Sequence, residues 1–288
     1  MKINRNFRTA MIQLRSGRNV ESNIENATEL ISVASRNGAE YVLTPENTDI
    51  MELRSKILFE KIQTEQENAG LKEFLELSKE LGIWLHVGSM AIKFSETKIA
   101  NRSYLINPEG VIAASYDKIH MFDVELPGGE RFRESKNYQS GEQAPVTKLP
   151  WGSIGLSICY DLRFPQLFRQ LAQSGAEIIA VPSAFTYQTG KAHWHVLLRA
   201  RAIENGCFII AAAQSGQHES GRKTFGHSLI INPWGQIIAE AGNEPGIIYG
   251  DIDLDQVTNV RQKIPSLEHD REFETNIVEE SKDIREAS

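Results

Sequence analysis

Two distant stretches of the 288-residue chain share one local pattern. Residues 38–45 read GAEYVLTP, and residues 175–182 read GAEIIAVP. Two further pairs follow in the same order: ELG at 80–82 with ENG at 204–206, and LINPEGVI at 105–112 with IINPWGQI at 230–237. Ordered internal similarity is the signature of a repeated structural unit. The sequence therefore predicts two similar halves that fold in the same way.

Within each half, short apolar runs alternate with longer amphipathic patterns. The runs are rich in Val and Ile and predict strands, whereas apolar residues spaced three and four apart predict helices. Each Asn-Pro-x-Gly turn suits a hairpin, because glycine readily takes a positive φ. Helices between strands indicate the α/β class, and we expect two sheets packed face to face with helices outside. Predicted strands are 7–13, 41–44, 83–88, 103–106, 111–115, 154–158, 178–181, 208–212, 228–231, 236–239 and 247–251; predicted helices are 22–36, 66–81, 165–173 and 192–205.

Composition excludes several functional classes. Apolar residues make up 41% of the chain and charged residues 24%, which is typical of a globular protein. The net charge of -7 and the lack of a long basic run argue against nucleic-acid binding. The N-terminal residues lack the apolar region of a signal peptide, and no apolar stretch is long enough to span a bilayer. We expect a cytoplasmic protein without a membrane or nucleic-acid partner.

The two cysteines, Cys159 and Cys207, are too few for a disulfide framework. The sequence has no CxxC motif and no His/Cys cluster, so we expect no metal site. Half of residues 271–288 are charged. This pattern predicts a single domain over residues 1–270, followed by a charged C-terminal tail.

Cys159 occupies a position that suits a nucleophile. It closes the apolar run 154–158 and precedes Pro165, which fits the first turn of a helix. A thiol at the end of a buried strand can face a pocket, and the N–H groups of the following turn can receive an oxyanion. The alternative is a buried, inert core residue. That alternative is the better interpretation of Cys207, which begins an apolar strand.

Three charged residues are further candidates. Glu46 follows a strand and a proline, which places a carboxylate where it can act as a general base. Lys118 lies just past the first hairpin among apolar neighbours, and Glu134 lies in the segment FRESK. Each of the three alone is equally compatible with a solvated surface charge. His193 and His195 point in different directions on a helix and make a poor metal pair, although a papain-like Cys–His pair stays open from spacing alone.

Three segments together resemble the signature of the nitrilase, or carbon–nitrogen hydrolase, superfamily. They are PE at 45–46, KIHMFD at 118–123 and CYDLRFP at 159–165, and they occur in the family's order. PSAF at 182–185 and GHS at 226–228 also match, and the resemblance covers about residues 7–270. It implies a four-layer αββα sandwich, which agrees with the two pseudo-repeated halves.

The resemblance also implies roles for individual residues. Cys159 would be the nucleophile, Glu46 the general base and Lys118 the cation that stabilises the oxyanion. Glu134 would be a second, supporting glutamate, and the backbone N–H of Tyr160 would also hold the oxyanion. The family works on small-molecule amides without a cofactor, and its members commonly form homodimers or higher homo-oligomers.

Within the superfamily, residues 182–208 and 214–228 most resemble the deaminated glutathione amidase branch. This implies an amidohydrolase that cleaves the C–N bond of a small anionic acid through a cysteine thioester. The alternatives are an ω-amidase acting on 2-oxo-acid amides, an N-carbamoyl amino acid hydrolase and a non-hydrolytic acyltransferase. A non-catalytic binding protein would be expected to lack one of the three reactive residues, and none is missing.

Substrate contacts are predicted at Arg163, Phe185 and Thr186. Arg163 lies four residues after the predicted nucleophile, where its planar fork could hold a carboxylate. The alternative for this arginine is an internal ion pair. The polar loop 214–227 contains further candidates for a second carboxylate, which fit a solvated charge cluster equally well: His218, Arg222 and Lys223.

The pKa values of the reacting groups constrain the mechanism. A free cysteine has a pKa of about 8.5 and a free glutamate about 4.3, so full proton transfer would cost roughly 5.7 kcal/mol. We therefore expect burial or a nearby carboxylate to raise the pKa of Glu46, with Glu134 as that carboxylate. Lys118 would stabilise the thiolate.

Overall fold

The computed structural model describes residues 4–126 and 129–277. Helices and strands alternate along both halves of this part of the chain. The helices are α1 (Val20–Arg36), α2 (Ser55–Lys61), α3 (Ala69–Leu81), α4 (Pro165–Gln173), α5 (Tyr187–Asn205) and α6 (Asp255–Lys263). The strands are β1 (Asn6–Gln13), β2 (Tyr41–Leu43), β3 (Trp84–Lys93), β4 (Ile99–Ile106), β5 (Ile112–Asp117), β6 (Asp123–Glu125), β7 (Arg131–Arg133), β8 (Tyr138–Gln139), β9 (Val146–Lys148), β10 (Ser153–Leu156), β11 (Ile178–Ala180), β12 (Phe208–Ala211), β13 (Ser215–Gln217), β14 (Lys223–Phe225), β15 (Leu229–Ile231), β16 (Ile237–Glu240) and β17 (Gly246–Asp253).

Two mixed sheets form the centre of the fold. The first has the order β17-β1-β2-β3-β4-β5, with β8 beside β4, and the second has the order β16-β15-β12-β11-β10-β9. In the first half β1, β2 and β3 pair in parallel and β4 and β5 follow antiparallel. In the second half β10, β11 and β12 pair in parallel, and β15 and β16 follow antiparallel. This matching order confirms the two pseudo-repeated halves.

The buried side chains separate into layers. Alternate residues of β1 point to opposite faces, as the period of a strand requires. Phe7 and Met11 belong to the core that joins the first sheet to the second, whereas Ala10 and Ile12 pack in the core that includes α1 and α3. Helices α4 and α5 cover the other sheet through Phe168, Trp194 and further apolar residues. The result is the predicted four-layer αββα sandwich.

Local signals set the ends of several helices. The side chain of Asn19 accepts a hydrogen bond from the Ser22 N–H at the start of α1, and Asn68 does the same for Leu71 at α3. Helix α3 ends at Gly82, which has a φ of 63°. This left-handed conformation is the one that favours glycine after the last helical turn.

Short elements account for most differences from the sequence-based prediction. Helix α5 begins at Tyr187 rather than at residue 192, and β3 continues to Lys93 rather than ending at 88. Helices α2 and α6 and strands β6, β7, β8, β9, β13 and β14 were not among the predicted elements. The added strands are two or three residues long and mostly polar, so they carry no apolar periodicity that a sequence pattern could reveal.

The C-terminal segment that follows α6 contacts helix α4. Asp270 forms an ion pair with Arg169, whose Nε lies 3.0 Å from the carboxylate. Residues 271–277 form neither helix nor strand, and the rest of the predicted tail lies outside the described residues. The domain division at residue 270 stays a prediction. Within the described ranges, the helices are too short or too polar to cross a membrane.

Candidate active site

Glu46, Lys118 and Cys159 each lie shortly after the end of a strand. Glu46 follows β2 and Lys118 follows β5 in the first sheet, whereas Cys159 follows β10 in the second. The three side chains form one buried cluster that lines a single cavity, and Glu46 accepts a hydrogen bond from Lys118. The two sheets therefore both contribute to a single site.

Two tight turns shape this cluster. Cys159 begins a short 3-10 helix (Cys159–Arg163) with a φ of 49°, and its N–H donates to the Pro182 carbonyl at 2.9 Å. Asn47 has a φ of 57°, and its N–H donates to the Ser89 Oγ at 2.9 Å. A non-glycine residue in this left-handed region stores strain, which surrounding contacts must hold. Here these two hydrogen bonds help to hold the turns.

The Glu46 carboxylate is buried, with 3% of the residue exposed. Its Oε1 accepts from the Lys118 Nζ at 2.9 Å and from the Asn101 Nδ2 at 2.9 Å. Its Oε2 accepts from the Ala184 N–H at 2.8 Å. The Cys159 side chain lines the same cavity as this carboxylate. Donors on both oxygens fix the orientation of Glu46 before any ligand arrives.

Lys118 lies between two carboxylates. Its buried Nζ is 2.9 Å from the Glu46 Oε1 and 2.9 Å from the Glu134 Oε2. The same Glu134 oxygen accepts from the Phe122 N–H at 2.6 Å. Glu134 is thus anchored by the backbone and holds the ammonium group in place.

These contacts decide the resting charges. Burial acts to raise the pKa of Glu46, but the positive charges of Lys118 and Arg222 prevail and lower it to about 2. Burial and the negative charge of Glu46 raise the pKa of the Cys159 thiol. Burial acts against the charged form of Lys118, yet Glu134 and Glu46 raise its pKa well above the ordinary value. At neutral pH the site holds a carboxylate, an ammonium and a neutral thiol.

The sequence-based expectation of a raised pKa at Glu46 is therefore wrong for the protein without substrate. Glu134 does lie near Glu46, but Lys118 stands between the two carboxylates. The positive charges of Lys118 and Arg222 together outweigh the burial of Glu46. Glu134 acts mainly on Lys118, whose charged form it stabilises.

The cluster opens into a cavity of about 260 Å³. Three more of the predicted site residues line this cavity: Tyr160, Phe185 and Thr186. The side chains of Glu46, Lys118, Glu134 and Cys159 line it as well. Arg222 from the polar loop lies there as well. The remaining lining residues are Asn47, Ile50, Met51, Glu52, Leu53, Ser55, Leu58, Phe122, Arg131, Phe132, Arg133, Asn137, Tyr138, Ala184 and Thr189.

Arg163 is the one predicted substrate contact that the described cavity does not include. Its Nη2 lies 3.3 Å from the His193 Nδ1, and its guanidinium carbon lies 5.3 Å from the centre of the Phe185 ring. Arg163 therefore packs behind a wall residue of the cavity. Its recognition role stays a prediction.

Asn101 and Ala184 are site residues that the sequence did not single out. Asn101 is on β4, two strands from β2 in the sheet, and donates to Glu46, while Ala184 donates to Glu46 through its backbone N–H. Asn101 lies outside the signature segments, and a backbone donor leaves no mark in the residue type. Ala184 belongs to the segment PSAF, whose resemblance to the family was the one available signal.

One group of side chains away from this cluster has an arrangement compatible with a metal ion. Ligand atoms of His195, His227 and Glu240 lie within 4.8 Å of one another. The Glu240 Oε1 is 2.9 Å from the His195 Nε2 and 3.0 Å from the His227 Nδ1. These distances are also ordinary for hydrogen bonds. None of the three residues lines the described cavity.

Comparison with known families agrees with this geometry. The sequence profile described as Carbon-nitrogen hydrolase matches residues 8–262. The chain belongs to the carbon–nitrogen hydrolase family. A relative named deaminated glutathione amidase, from Yersinia enterocolitica, is 39% identical over 99% of this chain and 99% of its own length.

Solved structures show the same fold. The Caenorhabditis elegans NitFhit protein superposes with a TM-score of 0.86 at 35% identity, covering 94% of this chain and 66% of that one. A mutant of the amidase from Nesterenkonia sp. AN1 superposes with a TM-score of 0.78 at 25% identity, covering 94% and 95%. That amidase carries the acetamide moiety of fluoroacetamide, covalently added at its active-site cysteine. A carbon–nitrogen hydrolase with a cysteine nucleophile is the activity that these findings support.

Proposed function

We propose that this enzyme hydrolyses the amide of a small anionic acid, with deaminated glutathione as its substrate. The observation that carries the proposal is the meeting of Glu46, Lys118 and Cys159 in one buried cavity. The substrate assignment is supported by the 39% identical relative of that name. Arginine side chains along the cavity suit an anionic ligand: Arg131, Arg133 and Arg222.

Cys159 is the proposed nucleophile. Its sulfur attacks the amide carbon while the thiol proton passes to Glu46, so that a C–S bond forms as the C=O double bond opens. The resting pKa of Glu46 is low and that of the thiol is raised, so a free thiolate would be unfavourable. Proton transfer and attack are therefore concerted.

Lys118 and the Tyr160 N–H are the proposed donors to the oxyanion. Tyr160 is the second residue of its 3-10 helix, where an N–H group has no partner within the helix. Donors that are already in place stabilise the developing charge without reorganisation. As negative charge moves from Glu46 to the oxyanion, Lys118 can stay close to both.

Glu46 then completes the reaction. It gives the thiol proton to the leaving nitrogen, the C–N bond breaks, and the acyl group remains on Cys159 as a thioester. A water molecule that loses a proton to Glu46 attacks the thioester. The C–S bond then breaks, the acid leaves, and Glu46 returns the proton to the Cys159 sulfur. Glu134 positions Lys118 throughout and touches no reacting atom in this scheme.

The test is a product-release screen. Deaminated glutathione, 2-oxo-acid amides, N-carbamoyl amino acids and nitriles are each incubated with the enzyme, and released acid and amine or ammonia are measured. We expect the fastest release of free acid from deaminated glutathione and none with the Cys159→Ala protein. Faster turnover of 2-oxo-acid amides would identify an ω-amidase, and product that forms only with an added amine or thiol would identify an acyltransferase.

We also propose a cytoplasmic homodimer or higher homo-oligomer. The two free cysteines suit a reducing compartment and support the location. The family resemblance supports the oligomer. Sedimentation equilibrium tests the assembly, since a mass of 32.3 kDa in solution would show a monomer.

A further inference from the structure

Arg222 has hydrogen-bonding capacity at the cavity that the protein itself does not use. It lies in the turn between β13 and β14, and its Nη2 donates to the Ala184 carbonyl at 2.6 Å. Its guanidinium carbon lies 5.6 Å from the centre of the Phe132 ring. Its Nε is buried and has no hydrogen-bond partner. Buried donors are nearly always paired in folded proteins, so an unpaired one beside a cavity points to a ligand.

Two other arginines around the cavity form ion pairs, whereas the cavity residue Arg133 donates to the Phe132 carbonyl at 3.0 Å. Arg131 pairs with Glu125 at 2.9 Å, and Arg18 pairs with the cavity residue Glu52 at 2.6 Å. Among the described residues, no carboxylate lies within ion-pair distance of Arg222, and its guanidinium is held only by Ala184 and the Phe132 ring. Its positive charge is therefore not neutralised by a nearby carboxylate.

Arg222 is also linked to Glu46 through the backbone of Ala184. The Ala184 carbonyl accepts a hydrogen bond from Arg222, and the Ala184 N–H donates to the Glu46 Oε2 at 2.8 Å. The positive charge of Arg222 acts on both Glu46 and Cys159. An anion bound at Arg222 would thus share the cavity with the amide that Cys159 attacks.

We propose that Arg222 binds a carboxylate of the amide substrate and sets the preference of this enzyme for anionic substrates. The inference rests on the proposed function and names the residue that selects its substrates. A guanidinium offers a planar fork that matches a carboxylate, and an ammonium does not. The Phe132 ring and the Ala184 carbonyl hold the fork in place, so little side-chain freedom is lost when the carboxylate binds.

Two amides of equal length isolate the carboxylate. Glutaramate and pentanamide share a five-carbon chain and a primary amide, and they differ in whether a carboxylate or a methyl group ends the chain. We expect Arg222→Gln to lower kcat/KM for glutaramate at least about tenfold, mainly through KM, because a charge-assisted hydrogen bond is lost. Pentanamide should change by less than about threefold, and Arg222→Lys should fall between wild type and Arg222→Gln.

Lys223→Gln is the matched control. Lys223 is the next cation in the chain, but its Nζ lies over the Tyr187 ring at 4.0 Å and the residue does not line the described cavity. This variant should keep the wild-type preference for glutaramate. Equal losses for both amides in Arg222→Gln, or an unchanged preference, would overturn the proposal. So would a preference that is lost in Arg163→Lys but kept in Arg222→Gln.

A binding measurement separates this proposal from the reaction itself. Calorimetry of glutaramate with the Cys159→Ala protein needs no turnover, and adding Arg222→Gln should weaken binding at least about tenfold. Binding that does not depend on Arg222 would contradict the carboxylate site even in an active amidase. Binding that depends on Arg222 in an enzyme that releases no acid from any amide would support the site and refute the proposed reaction.

Discussion

The site differs from a simple acid–base pair because it also holds the positive charge of Lys118. The Glu46 and Glu134 carboxylates each lie 2.9 Å from its Nζ. They keep the ammonium charged although the side chain is almost completely buried. A buried charge is tolerated only when it is paired and hydrogen-bonded. The positive charge of Lys118 is therefore in place before substrate binds.

Cys159 is the residue on which the proposed reaction depends. Cys159→Ala should reduce amide hydrolysis to background, because the proposed thioester forms on this sulfur. The melting temperature should change little, since alanine fits the same space. Cys207→Ala is the control: this thiol is buried near the Arg201 carbonyl and should leave most activity. Normal turnover by Cys159→Ala would refute the nucleophile assignment.

Glu134→Gln tests whether Glu134 acts through Lys118. The charge of Glu134 raises the pKa of Lys118, so its removal should lower that pKa. We expect the alkaline limb of the pH–rate profile to move to lower pH and kcat to fall more than KM rises. Glu134→Asp, which keeps the charge, should restore part of the rate at high pH. A profile that matches wild type in shape and height would show that Glu134 is a bystander.

The sequence predicted which residues form the site better than it predicted the pKa of Glu46. The signature segments located Glu46, Lys118 and Cys159, and the structure places the three side chains together. The direction of the Glu46 pKa could not be predicted, because it depends on which charge stands between two carboxylates. Sequence spacing contains no such distance. Arg222 likewise showed no sign of its unpaired Nε before its neighbours were known.

At the scale of elements, a bulge in β3 holds the turn that carries Glu46. The register of β3 against β4 shifts between Val87 and Met90. Within this bulge the Gly88 N–H donates to the Thr44 Oγ1 at 3.0 Å, and the Ser89 N–H donates to the Pro45 carbonyl at 3.2 Å. Bulges commonly re-aim side chains next to active sites. Here the bulge fixes the path of the chain into Glu46.

Gly88 should be sensitive to the addition of a single methyl group. A Cβ at this position would lie 2.0 Å from the Thr44 carbonyl oxygen and 2.5 Å from the Pro182 Cβ. We expect Gly88→Ala to lower the free energy of unfolding by about 1–3 kcal/mol and to reduce kcat as the Glu46 turn moves. Denaturant unfolding and steady-state kinetics measure the two effects. Gly246→Ala, where a Cβ meets nothing within 4 Å, is the control, and equal effects in both variants would contradict the packing argument.

The long elements were predictable, and the bulge was not. Helix α4 and strand β1 have strong apolar periodicity and lie close to their predicted bounds. The prediction ended β3 at residue 88, although the strand continues through the bulge to Lys93. A bulge breaks the alternation of side chains, which is the signal that a strand prediction uses.

At the scale of the whole molecule, the two halves meet through their equivalent turns. Pro45 and Pro182 occupy matching positions in the repeated pattern. The Pro182 carbonyl accepts from the Cys159 N–H, and the Ala184 N–H just beyond it donates to Glu46. The turn at Pro182 therefore holds Cys159 of its own half and, through Ala184, Glu46 of the other half. The internal similarity predicted the two sheets, but only the structure shows that their equivalent turns meet.

Activity should not depend on a bound metal. The charged residues proposed to act with Cys159 are Glu46, Lys118 and Glu134, and none of them belongs to the His195–His227–Glu240 group. We expect the rate to survive exhaustive chelation within about twofold. Loss of activity on chelation, with recovery on added zinc, would contradict the proposed mechanism.

The pH dependence of global stability should reveal a second buried carboxyl, Asp49. Burial raises its pKa to about 7, despite the Ala91 N–H that it accepts at 3.1 Å. The folded protein then binds this proton more tightly than the unfolded chain, whose Asp pKa is about 3.9. Stability from this group is full below the unfolded pKa and is lost as pH rises from about 4 to 7, at up to about 1.4 kcal/mol per pH unit. Asp49→Asn should remove this slope in denaturant unfolding, whereas Asp251→Asn at the exposed surface should keep it. Parallel curves for wild type and Asp49→Asn would show that Asp49 is ionised in the folded protein.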